Sequence, residues 1–285
     1  MPERTPGDAG HGSFTERLYR AFHLSPAGRG WRHAGELELM QRSMGFAALG
    51  FLTLVPLLIV VAAADPANGR GFAEWLGDGL GVSKGAQQEV EQLFTKPRQA
   101  LESTTAFGLA ALAVFGLTFG SAVQTGYERV WELPPARWHT MWRHLVWVAM
   151  LIGYLFLSAH FTLEPESSGR VAETFWRFLV AVTSAVLFFW WSQRLLLGGR
   201  VGWGALLPGA VATVIGLLGL RVFSRLVFSP LIASNAVSYG PIGTVLVIQS
   251  WLVGVGVVVF GGSLVGRLLH EEGPRLLDRL RRRDR

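Results

Sequence analysis

The chain has 285 residues, no cysteine, and 26 Lys and Arg against 20 Asp and Glu, which gives a formal net charge of +6. Half of the residues are hydrophobic and only 16% are charged, with a mean hydropathy of +0.35, whereas a soluble domain carries roughly 25% charged residues. The absence of cysteine excludes disulfides, Cys-ligated metals and thiol catalysis. This composition is typical of an integral membrane protein, and we expect no enzymatic activity.

Six long stretches contain no Asp, Glu, Lys or Arg, and together they make up roughly half of the chain. A helix needs about 20 apolar residues to cross a hydrocarbon core of about 30 Å. The sequence therefore predicts an all-α, polytopic transmembrane bundle of six spans, at about 44–64, 104–126, 145–163, 177–196, 201–226 and 242–266.

The last uncharged stretch, 226–266, is long enough to cross the membrane twice, so seven spans are the alternative. Its first part contains Pro230, Asn235 and Pro241. These residues leave backbone groups unsatisfied in lipid, which favours an interfacial or protein-buried turn over 226–241.

With six spans, both termini lie on the side that carries 18 of the 26 Lys and Arg residues. The positive-inside rule then places both termini in the cytoplasm. Residues 1–43 are predicted to form a cytosolic amphipathic tail, and 65–102 an outer loop. The basic tail 267–285 is expected to contact anionic headgroups of membrane lipids, and no nucleic-acid recognition module accompanies it.

The string from Gln124 to Trp138 carries the second span out of the membrane. Glu128 and Arg129 are adjacent there, so their side chains point in different directions and one is expected to face the bundle. We interpret them as a cytoplasmic gate or a contact to a substrate headgroup, with interface anchoring as the alternative. Alanine at either position should impair function without abolishing insertion. The other candidate contacts are Gln124, Tyr127 and Gln249.

Pro56 and Pro208 lie inside predicted spans, where each removes a backbone hydrogen bond and kinks the helix. Glycine pairs at 116–120 and 262–266 have the spacing of close helix contacts. His144 is interpreted as a contact to lipid headgroups.

His160 and Glu164 share one helical face at the outer end of the third span. No HExxH motif or third histidine completes a metal site there, so we expect neither a metal nor a cofactor.

Four strings resemble the YihY/virulence factor BrkB family of inner-membrane proteins. They are MGFAALGFLTLVPLL at 44–58, the block STTAFGLAALAVFGLTF to VQTGYERVWELPPARW at 103–138, WGALLPGA at 203–210 and YGPIGTVLVIQSWLVGVGVVVFGG at 239–262. The resemblance implies six helices with cytoplasmic termini, in agreement with the charge distribution. One departure is Ser263, which stands where many relatives carry an acidic residue.

The resemblance also implies a role in traffic of envelope lipid or lipopolysaccharide. We therefore expect a transporter or flippase-like protein for a lipid or another amphipathic envelope component. The alternative is a membrane scaffold that does not transport and recruits envelope-assembly partners, and a homo-oligomer stays open. The family's older ribonuclease name finds no support, because no cytosolic cluster of His and Asp resembles a hydrolytic metal site.

Overall fold

The computed structural model describes residues 38–64, 105–135, 141–163, 171–239 and 241–283. Within these ranges the secondary structure is helical, and no strand occurs. The predicted outer loop 65–102, most of the tail 1–43 and Glu164 lie outside the described residues, as does the side chain of His160.

Six helices account for nearly all described residues. They are α1 (Leu39–Ala64), α2 (Thr105–Val130), α3 (Met141–Leu163), α4 (Val171–Leu196), α5 (Trp203–Tyr239) and α6 (Pro241–Arg283). Each overlaps one predicted span, so the all-helical fold class is confirmed.

Three stretches within the described helices are long and apolar enough to cross a membrane: Phe175–Leu196, Trp203–Val227 and Val245–Glu271. A shorter apolar stretch runs from Met141 to Leu155. These stretches support a location in the membrane. The number of six spans stays a prediction.

The largest buried cluster joins all six helices at one end of the bundle. Phe46 of α1 contacts Phe119 of α2 and Phe260 of α6, with ring centroids 5.0 and 5.9 Å apart. Trp147 of α3 and Leu206 of α5 belong to the same cluster. Because Arg200 and Arg267 also lie here, we call this the basic end of the bundle. The charge distribution predicts that it faces the cytoplasm.

Helices α5 and α6 are antiparallel and pack closely through glycines. A Cβ built on Gly266 would lie 2.6 Å from the Cα of Gly209, closer than real contacts allow. Farther from the basic end, Gly216 lies against Val258 and Gly254 against Leu220. This glycine seam lets the two backbones approach, as small residues do in membrane helix pairs.

The glycine pair at 116–120 also lies at a helix contact. Gly116 of α2 faces Val148 of α3, and Gly120 faces His144 and Trp147. The interpretation of both glycine pairs as packing sites is confirmed.

The predicted turn over 226–241 is wrong, because α5 continues as a helix to Tyr239. A continued helix satisfies its own backbone groups, which a turn in an apolar segment cannot do. Pro230 removes only the single bond to the carbonyl of Leu226. At 37 residues, α5 is about 55 Å long, and it carries Arg221 and Arg225 within it.

The basic C-terminal segment is a continuation of α6, which runs unbroken from Pro241 to Arg283. The helix α1 runs past Pro56 in the same way, and α5 runs past Pro208. Each proline therefore costs one backbone hydrogen bond without ending its helix.

Gly266→Ala should destabilise the protein by about 1–3 kcal/mol, because the new methyl group meets the backbone of Gly209. The control is Gly261→Ala on the same helix, where nothing lies within 4 Å of the added Cβ. It should be neutral or stabilising by about 0.5–1 kcal/mol. Thermal unfolding in detergent measures both, and equal midpoints would contradict the close seam.

Candidate functional site

The C-terminal end of α2 forms a Schellman motif at the basic end. The N–H of Leu133 donates to the carbonyl of Glu128 at 2.8 Å, and the N–H of Glu132 donates to that of Arg129 at 3.1 Å. Glu132 has φ of 49°, a left-handed conformation in which glycine is the usual residue. Glu132 therefore adopts a backbone conformation that is unfavourable for a residue with a Cβ atom.

A buried chain of hydrogen bonds connects α3 to α2. The Nε2 of Gln124 donates to Oε1 of Glu128 at 2.8 Å, and Nε2 of His144 lies 2.6 Å from Oε1 of Gln124. Because that amide oxygen can only accept, His144 is the donor and carries its proton on Nε2. Glu128 is only 4% exposed, so its carboxylate needs these partners.

Arg200, in the turn between α4 and α5, supplies the charge that Glu128 needs. Its Nη2 donates to Oε1 of Glu128 in an ion pair, and its Nη1 donates to the carbonyl of Pro134 at 2.6 Å. Its Nε donates to the carbonyl of Leu197 at 2.8 Å. One guanidinium thus holds both the end of α2 and its own turn.

Arg267 of α6 holds the same helix end from the other side. Its Nη1 donates to the carbonyl of Val130 at 2.7 Å, and its guanidinium pairs with Glu132 at 3.0 Å and Glu271 at 2.6 Å. The side chain of Glu132, the left-handed residue at the end of α2, thus pairs with Arg267. We call Arg200 and Arg267, with Glu128 and Glu132, the arginine clamp.

Two further hydrogen bonds join helices at the basic end. The indole N–H of Trp131 donates to Oγ of Ser263 at 3.1 Å, and that of Trp147 donates to Oγ of Ser192 at 2.6 Å. Ser263, where relatives were expected to carry an acid, is thus a hydrogen-bond acceptor between α2 and α6.

The turn that carries Arg200 is fixed by a second Schellman motif. The N–H of Gly199 donates to the carbonyl of Arg194 at 3.1 Å, and that of Gly198 donates to Leu195 at 3.0 Å. Gly198 has φ of 65°. The side chain of Arg194 donates to the carbonyl of Gly199 at 2.7 Å, so the turn is held from both ends.

The structure brings together two of the residues that the sequence singled out, Gln124 and Glu128. Arg129 is exposed, so the expectation that only one of the adjacent charges faces the bundle is confirmed. Tyr127 is buried against Phe260, with ring centroids 6.0 Å apart, and packs in the core. Gln249 lies 18 residues before Arg267 on α6, about 27 Å along the helix, and is not part of the site.

Sequence reasoning missed four members of the site, one of which, Glu132, was only part of the string from Gln124 to Trp138. His144 was expected at lipid headgroups, but it is buried and bonded to Gln124. Arg200 and Arg267 were counted only as positive-inside charges. The available signal was the position of Arg200 in a two-glycine turn and of Arg267 as the first charge after the last span. Among the described residues, no three His, Asp or Glu side chains are grouped to hold a metal ion.

The fold and the site define an α-helical membrane protein in which a buried carboxylate and two arginines join helices at one end. Residues 31–284 match the family model of virulence factor BrkB, and the chain belongs to this family. Searches of the curated proteins and of the solved structures give no match.

Glu128→Gln should lower the free energy of unfolding by about 1–3 kcal/mol, because it removes a charge-assisted bond to Arg200. The double variant Glu128→Gln/Arg200→Gln should cost less than the sum of the single variants. Arg129→Gln is the matched control, and its exposed side chain predicts a change within about 0.5 kcal/mol. Additive effects in the cycle would show that the two side chains do not interact.

Gly198→Ala should destabilise the turn by about 1–2 kcal/mol, since alanine is strained at positive φ and its methyl group would collide with the guanidinium of Arg143. Gly202→Ala, with nothing within 4 Å of the added Cβ, should have little effect. The thermal unfolding midpoints of the two variants are compared with that of the parent. An unchanged midpoint for Gly198→Ala would argue against this turn geometry.

Proposed function

We propose that this protein is an inner-membrane transporter or flippase-like protein for a lipid or another amphipathic envelope component, and that the arginine clamp is its cytoplasmic gate. The observation that carries the proposal is the Glu128–Arg200 pair. The Glu128 side chain is buried, with 5% exposed, whereas 29% of the Arg200 side chain is exposed.

This asymmetry suits a gate. A buried carboxylate is costly to leave without its partner, so the closed state is well defined. A guanidinium that reaches solvent can exchange that carboxylate for an anionic group of comparable geometry. Phosphate and carboxylate both bind arginine through two parallel hydrogen bonds. An anionic headgroup that arrives from the basic end could therefore displace Glu128 from Arg200.

The clamp also joins the elements that such a movement would separate. Arg200 ties α2 to the α4–α5 turn, and Arg267 ties α2 to α6. Exchange of one arginine therefore frees the end of α2 from one of these two neighbours. The alternative function, a scaffold, draws support from the continuation of α6 to Arg283, which offers a helix for partner proteins.

Reconstitution tests the transport proposal. Vesicles of phosphatidylethanolamine and phosphatidylglycerol, with a tail-labelled fluorescent phosphatidylglycerol, report transbilayer movement by quenching from outside. The protein should accelerate this movement over empty vesicles. Glu128→Gln releases Arg200 and leaves the gate open, so it should raise the rate by about tenfold, the factor that roughly 1.4 kcal/mol produces. Arg129→Gln should retain the parent rate, because the side chain of Arg129 is exposed; this replaces the expectation from the sequence that its loss impairs function.

Movement no faster than in empty vesicles would contradict a lipid-moving function. Truncation after Glu271 separates the scaffold from the transporter. A transporter should keep some flux in vesicles without the helix end, whereas a scaffold should lose its function in cells.

A further inference from the structure

Gln193 of α4 is a fully buried amide without a hydrogen bond. It has no exposed surface, and neither its Nε2 nor its Oε1 has a partner among the described residues. Its buried polar neighbours are satisfied: Ser192 accepts from Trp147, and Thr213 donates to the carbonyl of Gly209 at 2.8 Å. An unpaired buried polar group is unfavourable, so this amide is expected to find its partner in another state.

The amide is directed at the glycine seam. A Cβ built on Gly209 would lie 3.3 Å from Oε1 of Gln193 and 3.4 Å from the carbonyl oxygen of Gly262. Gly266 lies against Gly209 on the same side. Three glycine backbones and one unpaired amide therefore meet between α4, α5 and α6. A small separation of these helices would open a space lined by the amide of Gln193 and the carbonyl oxygen of Gly262.

The clamp, at the basic end, adjoins this place through Leu197. The N–H of Leu197 donates to the carbonyl of Gln193 at 2.9 Å, and the carbonyl of Leu197 accepts from Arg200. On α6, Gly266 immediately precedes Arg267. A ligand that enters from the basic end would pass the clamp before it meets Gln193.

We propose that Gln193 and the seam of Gly209, Gly262 and Gly266 form a buried binding site for an uncharged hydroxyl group, closed in this structure and opened when Arg200 releases Glu128. The site rests on the proposed function and supplies its binding step. A carboxamide donates and accepts at once, so it matches a hydroxyl that does the same. The hydroxyl belongs either to a lipid headgroup or to water.

The chain contains no cysteine, so Gln193→Cys introduces a single thiol whose reaction with a water-soluble maleimide in membrane vesicles reports accessibility. Thiols react as thiolates, which form in water and not in an apolar core. The control is Leu206→Cys, which is equally buried and apolar. Position 193 should label at least about tenfold faster than 206, and about tenfold faster again with Glu128→Gln, equivalent to roughly 1.4 kcal/mol.

Labelling at 193 that is no faster than at 206, with or without Glu128→Gln, overturns the site. Size-exclusion profiles confirm that each variant is folded. The experiment measures no flux, so it can fail while lipid movement persists, and lipid movement can fail while the site is found.

Two vesicle compositions separate the sources of the hydroxyl. Phosphatidylglycerol carries free headgroup hydroxyls and phosphatidylmethanol carries none, although each has one negative charge. For this comparison the thiol is placed at Thr213→Cys, which is buried beside Gly262 and keeps the Gln193 amide. Slower labelling in phosphatidylglycerol assigns the site to a headgroup hydroxyl, and equal labelling above that of Leu206→Cys assigns it to water. Gln193→Met should leave the thermal midpoint unchanged or higher, because it removes an unpaired amide. A clear drop in midpoint would contradict the closed, unpaired state.

Discussion

The buried carboxylate of Glu128 is the constraint on which the basic end of the structure depends. An ionised group in an apolar interior needs both a counter-charge and hydrogen bonds. Gln124 and Arg200 supply them, and each comes with its own attachment, to His144 of α3 and to the α4–α5 turn. Satisfying one carboxylate therefore fixes the relative positions of two helices, α2 and α3, and the α4–α5 turn.

The glycine seam provides the second half of this arrangement. Because α5 and α6 approach through Gly209 and Gly266, Arg267 is brought close enough to the end of α2 to bond Val130 and pair with Glu132. Close backbone packing and charge pairing thus act on the same end of the bundle. Gln193 lies beside the seam, and its side-chain amide has no hydrogen-bond partner among the residues that the structure describes. The helices are thus closely packed there while one buried polar group stays unpaired.

The sequence predicted the helices well and the site only in part. Uncharged stretches locate the helices because apolar length is a local property of the chain. The continuation of α5 through Pro230 was missed, since one lost hydrogen bond does not outweigh a helix. It was anticipated that one of Glu128 and Arg129 faces the bundle, but not which one, and the roles of Arg200 and His144 were not anticipated. Their roles depend on tertiary contacts across 72 and 20 residues of sequence, which local patterns do not contain.

The central claim is that the Glu128–Arg200 pair holds the end of α2 against the α4–α5 turn. The most direct measurement is the distance distribution between spin labels at the exposed positions 129 and 202, attached to cysteines in this cysteine-free chain. The parent protein should show one narrow distribution, and Glu128→Gln should broaden it toward longer distances. An unchanged distribution in Glu128→Gln would show that the pair does not hold the two elements together.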